Sequence, residues 1–191
     1  MHPREFVVHL TGLRAIGSGG SLLPSAQRSL SEVPVLRSLF QILAMTSLCS
    51  LATVNPDGRS HICHVYFAYS PTLELYFLSD PESRHCTNLE TNSSMAVSVF
   101  DSTQRWGGMD RGISLYGTCG ATYGRDATRS EQVYARRFQA YTKWRATLKS
   151  DEETQGLRFF AFAPKRVKVF DEKKLGAGVF VVGSVRRKIR E

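Results

Sequence analysis

A succession of short β-type segments separated by tight turns constrains the fold of this chain most. Residues 47–54 and 61–69 are short and rich in apolar and β-branched residues, and an Asn-Pro-Asp-Gly turn at 55–58 separates them. A third segment of the same kind, 73–78, follows a Ser-Pro-Thr turn. Because consecutive short strands with tight turns form antiparallel meanders, the pattern predicts a β-barrel type of fold.

Helical patterns surround these strands. Residues 25–44 carry apolar side chains at spacings of three and four, which predicts an amphipathic helix that begins or kinks near Pro34. A short helix is predicted at 82–90 and a long one at 128–148, with Trp144 on its inner face. Further strands are predicted at 94–100, 112–122, 158–162, 166–170 and 178–185. This succession of short strands with added helices indicates a mainly β, α+β barrel and not a parallel α/β sheet.

The domain organisation follows from one break near the start of the chain. Three glycines within 17–20 and Pro24 interrupt the pattern, so residues 1–26 are predicted to form a flexible N-terminal appendage, either loosely paired with the body or disordered. The remaining residues, 27–191, are predicted to form one domain, because 191 residues with 42% apolar content suit a single core.

The charge balance limits the classes of partner. The chain has a net charge of +8, which suits nucleic acid, an anionic membrane surface or a phosphorylated small molecule. The nine Lys and Arg residues within 165–190 are broken into short groups without an aromatic-basic motif, which disfavours nucleic acid. Four scattered cysteines without a Cys-x-x-Cys pair and no apolar run of membrane-spanning length predict a cytoplasmic protein that does not cross a membrane.

Candidate chemistry lies where the strand at 73–78 meets the following helix. Ser79 supplies a hydroxyl, Pro81 turns the chain, and Ser83, Arg84 and His85 fall in the first helical turn. A helix N-terminus offers free N–H donors and a positive dipole end, and an arginine adds a bidentate fork. This combination predicts a phosphate-binding turn; the alternative is an ordinary helix cap beside an exposed arginine.

A metal cluster and a haem ligand are alternative interpretations of the histidines and cysteines nearby. Alternation along a strand puts His61 and Cys63 on one face and His64 on the other, so three ligands from 61–64 do not converge. No metal site is therefore predicted, although His85 and Cys86 belong to the same candidate set. Haem would need an axial histidine, for which His64 and His85 are the candidates.

Residues 51–69 resemble the first hairpin of the pyridoxamine 5′-phosphate oxidase-like flavoproteins, a strand, a Gly-containing turn and a strand that ends in an aromatic pair. Residues 79–92 are similar to the strand-to-helix turn with which that family holds phosphate, and 96–100 and 111–117 to its fourth and fifth strands. The resemblance is good over about residues 45–122. It implies a split β-barrel of the FMN-binding type, with the flavin held at a homodimer interface.

The resemblance also implies which residues contact the cofactor. Ser79, Ser83 and Arg84 would hold the flavin phosphate and ribityl chain, with His85 where many relatives have lysine. A strand would lie along the isoalloxazine ring, mostly through backbone groups, and a loop after the fourth strand would reach the flavin of the other subunit. The implied set is His64, Val65, Tyr66, Phe67, Ser79, Ser83, Arg84, His85, Gln104 and Trp106.

The function that this resemblance implies is an FMN-dependent oxidoreductase of a small-molecule substrate or reductant. No nucleophile or general base is evident, which fits because a flavin carries the electron chemistry itself. No segment that resembles the C-terminal substrate-binding segment of pyridoxamine 5′-phosphate oxidase is recognised, and residues 186–190 are Arg-Arg-Lys-Ile-Arg. Three alternatives stay open: a non-catalytic protein that binds flavin, haem or pyridoxal phosphate, a deazaflavin (F420)-dependent reductase, and a basic nucleic-acid-binding barrel.

Overall fold

A computed structural model describes residues 7–148 and 156–187 of the chain. The described residues contain nine strands and six helices. The strands are β1 (Val8–Ile16), β2 (Leu48–Val54), β3 (Ser60–Tyr66), β4 (Ala68–Tyr69), β5 (Leu75–Ser79), β6 (Ser94–Phe100), β7 (Arg111–Ala121), β8 (Arg158–Asp171) and β9 (Phe180–Arg187). The helices are α1 (Pro24–Ser29), α2 (Glu32–Met45), α3 (Arg84–Thr91), α4 (Gly124–Arg137), α5 (Gln139–Thr147) and α6 (Glu172–Leu175).

The nine strands form one antiparallel sheet. Its hydrogen-bonded order is β1-β9-β8-β7-β6-β2-β3, while β4 pairs with β5 and β5 with β8. The predicted class, mainly β with added helices, is confirmed. The chain divides into two compact units. Unit 1 holds the described residues up to Ser47, Val97–Tyr116 and the described residues from Pro164, and unit 2 holds Leu48–Ala96 and the described part of Gly117–Ala163.

Unit 1 contains a strand that the sequence analysis did not predict. Residues predicted as an appendage form β1, which pairs antiparallel with β9 from Val8 opposite Arg187 to Ile16 opposite Phe180. The register shifts between Thr11 and Arg14, so the buried positions change parity along the strand. That bulge, with Gly12 at a φ of 62°, hides the alternation by which a strand is recognised in sequence. Helix α2 begins at Glu32, as the position of Pro34 predicts.

Unit 2 is built on the β2–β3 hairpin. Its register runs from Leu48 opposite Tyr66 to Val54 opposite Ser60, and the predicted turn closes with a 2.9 Å bond from Gly58 N–H to the Asn55 carbonyl. The same unit shows that the long predicted helix is interrupted. Phe138 adopts an extended conformation between α4 and α5, so the two helices do not share the single continuous face that the prediction assumed. Trp144, predicted as a core residue, is consequently 37% exposed.

Strand β8 also differs from its prediction. Two strands separated by Pro164 were expected, whereas β8 continues without a break from Arg158 to Asp171. A proline fits within a strand where its nitrogen faces no acceptor, and its carbonyl still accepts a 3.1 Å bond from the Arg187 guanidinium. A proline in a β-rich segment therefore did not mark a strand boundary.

Candidate functional site

The segment from Ser79 to His85, which we call the β5–α3 turn, contains the predicted phosphate-binding residues. Strand β5 pairs with β8 up to Ser79 opposite Arg158, so the sheet fixes where the turn begins. Ser83 caps the helix in an extended conformation, and its carbonyl accepts bonds from Cys86 N–H at 2.9 Å and Thr87 N–H at 3.0 Å. The N–H groups of Arg84 and His85, the first two helical positions, have no intrahelical acceptor, so they point out of the helix end.

Polar side chains meet at this turn. The Ser79 and Ser83 hydroxyls lie 3.4 Å apart, and His85 Nε2 lies 2.8 Å from Ser79 Oγ and 3.3 Å from Ser83 Oγ. The Ser83 hydroxyl donates to the Asp80 carbonyl at 2.7 Å. Arg84 is exposed, and its guanidinium makes no ion pair within the described part of the chain. Hydroxyls, an available guanidinium and a helix N-terminus thus come together as the sequence predicts.

His85 contributes hydrogen bonding to this turn but little charge. The side chain is buried, with 8% of its surface exposed. Burial lowers the pKa of its imidazole below the ordinary value, and the neighbouring His61 lowers that pKa further. The neutral form therefore predominates near neutral pH, so Arg84 is the fixed positive charge of the turn.

Asn88 positions α3, a role that the sequence analysis did not assign. It is 1% exposed, and its Nδ2 donates to Thr53 Oγ1 and to Asn55 Oδ1, both at 3.0 Å. Both acceptors lie at the end of β2 and in the turn that follows it. One amide therefore holds the helix that carries Arg84 against the β2–β3 hairpin, with both of its donors used.

The strand predicted to lie along a flavin ring ends the sheet order. His64 and Tyr66 on β3 are exposed, and Val65 is half-buried. Phe67 is fully buried beneath the Arg137 guanidinium, which lies 4.5 Å from the ring centroid. A ligand beside β3 would therefore meet the side chains of His64 and Tyr66 but only the backbone of Phe67.

The loop between β6 and β7, residues 101–110, carries the other two predicted contacts and belongs to unit 1. Gln104 Nε2 donates to the Asp101 carbonyl at 2.9 Å and to the Arg111 carbonyl at 3.0 Å. Its Oε1 accepts from Arg111 N–H at 2.6 Å, so the side chain bridges the two ends of the loop. Trp106 is fully exposed at the tip of the loop. Contact of either residue with a cofactor stays a prediction.

A buried ion pair anchors the base of this loop. Arg111 Nη2 lies 3.1 Å from Asp171 Oδ2, and the Asp171 side chain is completely buried. The Ser38 hydroxyl donates to the same carboxylate oxygen. Asp171 Oδ1 and Arg111 Nε have no hydrogen-bond partner among the described residues. The pair therefore keeps a charge buried at the start of β7, where loss of either partner is costly.

A second cluster in unit 2 brings together three members of the histidine and cysteine set that the sequence analysis considered and set aside. One ligand atom each of His61, Cys63 and His85 lies within 4.8 Å of the other two. The rings of His61 and His85 are parallel, with centroids 6.5 Å apart. Burial and the nearby Cys86 raise the pKa of the Cys63 thiol to about 11. The available signal was the shared face of His61 and Cys63 on β3, but the third member comes from α3.

Fold and site together define an α+β protein with an antiparallel sheet and a polar strand-to-helix turn. The family described as pyridoxamine 5′-phosphate oxidase matches residues 37–171, which is more than half of the chain. The chain therefore belongs to the pyridoxamine 5′-phosphate oxidase family. No match was found among functionally curated proteins.

Solved structures show the same fold at low sequence identity. A haem-binding protein from Mycobacterium smegmatis matches with a TM-score of 0.60 at 14% identity, over 75% of this chain and 55% of that chain. An FAD-binding protein from Mesorhizobium loti matches with a TM-score of 0.53 at 15% identity, over 91% of this chain and 100% of that one. A putative pyridoxamine 5′-phosphate oxidase from Listeria innocua matches with a TM-score of 0.55 at 14% identity, over 70% of this chain and 95% of that one.

These likenesses establish the fold, and the predicted split β-barrel class is confirmed. Within the described residues, no helix has both the length and the apolar character needed to cross a membrane.

Proposed function

We propose that this protein binds flavin mononucleotide and acts as a cytoplasmic, homodimeric, flavin-dependent oxidoreductase. The observation that carries the proposal is the convergence of Ser79, Ser83 and Arg84 at the N-terminus of α3. Membership of the pyridoxamine 5′-phosphate oxidase family supports it, as does the likeness to an FAD-binding protein. Neither identifies a substrate.

The turn fits a phosphate monoester in the type of its donors. The Ser79 hydroxyl, the N–H groups of the first two helical positions and the Arg84 guanidinium can donate to an anion, and the Ser83 hydroxyl can join them once it releases the Asp80 carbonyl. No carboxylate takes part in the hydrogen bonds among these side chains. His85 is the departure, because a neutral imidazole replaces the lysine of many relatives. The expected consequence is a phosphate site with one guanidinium charge, which binds phosphate more weakly than a site with two positive charges.

The chain itself would bind and orient the cofactor. The β5–α3 turn would hold the phosphate, while the outer edge of β3 would lie beside the ring with His64 and Tyr66 as exposed neighbours. The flavin would supply hydride or electron transfer, so the protein needs no nucleophile. The catalytic residue and the substrate stay unassigned in this proposal.

The homodimer belongs to the same proposal. Trp106 exposes its whole indole at the tip of the β6–β7 loop, and an indole gains much from being covered. A second copy of the chain, with its bound flavin, is the occupant that the family resemblance implies. Gln104 would then contribute in two ways: by holding together the two ends of the loop that reaches the cofactor, and by contacting the cofactor itself.

The test is a flavin titration of the purified protein, followed by absorbance and by equilibrium dialysis. We expect bound FMN to persist after dialysis and Arg84→Ala to weaken its binding about 10- to 100-fold, since a charged hydrogen bond contributes about 1.5–3 kcal/mol. Riboflavin, which lacks the phosphate, should bind the parent and the variant alike. Arg59→Ala is the matched control, because Arg59 is another exposed arginine, near the β2–β3 turn.

No flavin retained at micromolar concentrations, or equal FMN affinity in Arg84→Ala, would overturn the proposal. The same spectra separate the alternatives. Retained flavin that neither NADH nor NADPH bleaches without oxygen would favour a non-catalytic binding protein. A Soret band on adding haem, with no flavin retained, would favour the haem alternative, and displacement of FMN by F420 would favour a deazaflavin reductase.

A further inference from the structure

His61, Cys63 and His85 form a compact group of metal-type ligands outside the serine and arginine contacts of the flavin proposal. His61 and Cys63 project from the same face of β3, two residues apart, and α3 brings His85 to that face. The ligand atoms of all three lie within 4.8 Å of one another. The sequence argument against convergence holds for three ligands from 61–64, because His64 is on the other face, but it did not address His85, which α3 supplies.

The hydrogen bonds around His85 leave one of its ring nitrogens able to bind a metal ion. The Ser83 hydroxyl donates to the Asp80 carbonyl, so toward His85 it acts as an acceptor. An Nε2–H that donates to Ser79 and Ser83 leaves Nδ1 with its lone pair. Metal-bound histidines commonly donate their second ring N–H to such a partner, which fixes the tautomer and the orientation of the ring.

We propose that His61, Cys63 and His85 bind a divalent transition-metal ion of the zinc class. Two imidazoles and a thiolate suit a borderline-soft ion, and such a ligand set excludes Mg²⁺ and Ca²⁺, which take oxygen. On binding, a bond forms between the ion and Cys63 Sγ, and the thiol proton passes to solvent. Three protein ligands leave the fourth position of a tetrahedral ion open to water or to a substrate atom.

Metal binding requires only a small decrease in the distances between the three ligand atoms. Bonds of about 2.0–2.1 Å to nitrogen and about 2.3 Å to sulfur place tetrahedral ligand atoms about 3.3–3.6 Å apart. The three atoms, now within 4.8 Å, would close by about an ångström. His61 and Cys63 are half-buried on β3, so rotation about their side-chain bonds can supply this movement without shifting the backbone.

This site goes beyond the proposed flavin function and can stand without it. His85 is common to both, since its Nε2 faces the serines of the β5–α3 turn. Bound metal would fix that ring, whereas the phosphate grip rests on Arg84. The two proposals therefore respond to different substitutions.

The experiment uses Co²⁺ as a spectroscopic probe on the reduced, metal-free full-length protein. We expect a near-ultraviolet thiolate-to-cobalt charge-transfer band that saturates at one ion per chain and is displaced by Zn²⁺. Cys63→Ser should abolish that band, and His61→Gln should weaken cobalt binding at least 10-fold. His64→Ala, on the opposite face of β3, and Arg84→Ala should leave the cobalt titration unchanged.

Absence of the thiolate band up to millimolar Co²⁺ would overturn the metal site, and so would its persistence in Cys63→Ser. Circular dichroism of each variant separates loss of a ligand from loss of the fold, and the half-buried His61 is the variant least expected to unfold. Loss of FMN binding in Arg84→Ala with an intact cobalt band, or the reverse pattern in Cys63→Ser, would show the two sites to be independent.

Discussion

The β5–α3 turn and the β6–β7 loop were both predicted to contact a cofactor, and they use their polar side chains in opposite ways. At the turn, the Arg84 guanidinium is exposed and the two serine hydroxyls face one another beside the helix end. In the loop, both amide donors of Gln104 are taken by backbone carbonyls, and Arg111 is paired with the buried Asp171.

The difference teaches that hydrogen-bonding capacity left after folding, and not residue type, marks a binding segment. The amide donors of Gln104 are used within the loop, whereas the five guanidinium donors of Arg84 are available to a ligand. The loop is thus expected to respond to substitution mainly through stability, and the turn mainly through ligand affinity. The experiments below test that contrast.

The largest effect is expected from Asp171→Ala. Removing the carboxylate leaves the Arg111 guanidinium partly buried without its counter-charge, which should lower the free energy of unfolding by about 3–5 kcal/mol. Urea denaturation measures this. Asp110→Ala, an exposed carboxylate in the same loop, should change stability by less than about 0.5 kcal/mol. A loss below about 1 kcal/mol in Asp171→Ala would mean that the ion pair does not anchor the loop.

Asn88→Ala should give the next largest change, and it should lower both the free energy of unfolding and the affinity for FMN. It removes two buried hydrogen bonds and leaves Thr53 and Asn55 without their donor, at a cost of about 1–3 kcal/mol in unfolding free energy. Because α3 then loses its anchor, FMN affinity should also fall. Thr87→Ala, on the exposed face of the same helix, is the control and should alter neither. Unchanged FMN affinity in Asn88→Ala would separate helix position from phosphate binding.

Alkaline pH should lower the free energy of unfolding through two tyrosines of unit 2, the unit that contains the β5–α3 turn. Burial raises the pKa of Tyr76 and of Tyr134 to about 12, while an unfolded chain titrates near 10. The unfolded state therefore loses these protons first, so stability is intact below pH 10 and declines between about pH 10 and 12, by at most about 3 kcal/mol for each tyrosine. Urea denaturation across this range should show a shallower decline in Tyr134→Phe. The exposed Tyr123→Phe should decline like the parent, and identical slopes in all three would refute the assignment.

The smallest stability change is expected at the tip of the loop. Trp106→Ala should alter unfolding free energy by less than about 0.5 kcal/mol, because the indole is fully exposed, whereas Gln104→Ala should cost about 1 kcal/mol. In the proposed dimer, Trp106→Ala should raise the dissociation constant at least about 10-fold, since buried tryptophans dominate interfaces. Analytical ultracentrifugation measures this. An unchanged self-association would remove Trp106 from the proposed interface.

Local signals in the sequence determined the elements that lie nearest the site. The Asn-Pro-Asp-Gly segment specified the β2–β3 turn, and Ser83 with its successors specified the start of α3, because turns and helix caps depend on neighbouring residues. The resemblance to the family rested on the same segments. These elements placed Ser79, Ser83 and Arg84 together before any tertiary contact was known.

Tertiary structure alone decided the rest, since it depends on partners distant in sequence. β1 is a strand because β9 pairs with it, and its bulge removed the alternation that a sequence pattern needs. Gln104 proved to be a loop bridge because Arg111 lies opposite. His85 joins His61 and Cys63 because α3 packs on β3, and no periodicity within one segment encodes a contact between two. The chain thus specifies each element locally, while burial and cross-strand hydrogen bonds decide which side chains stay free for chemistry.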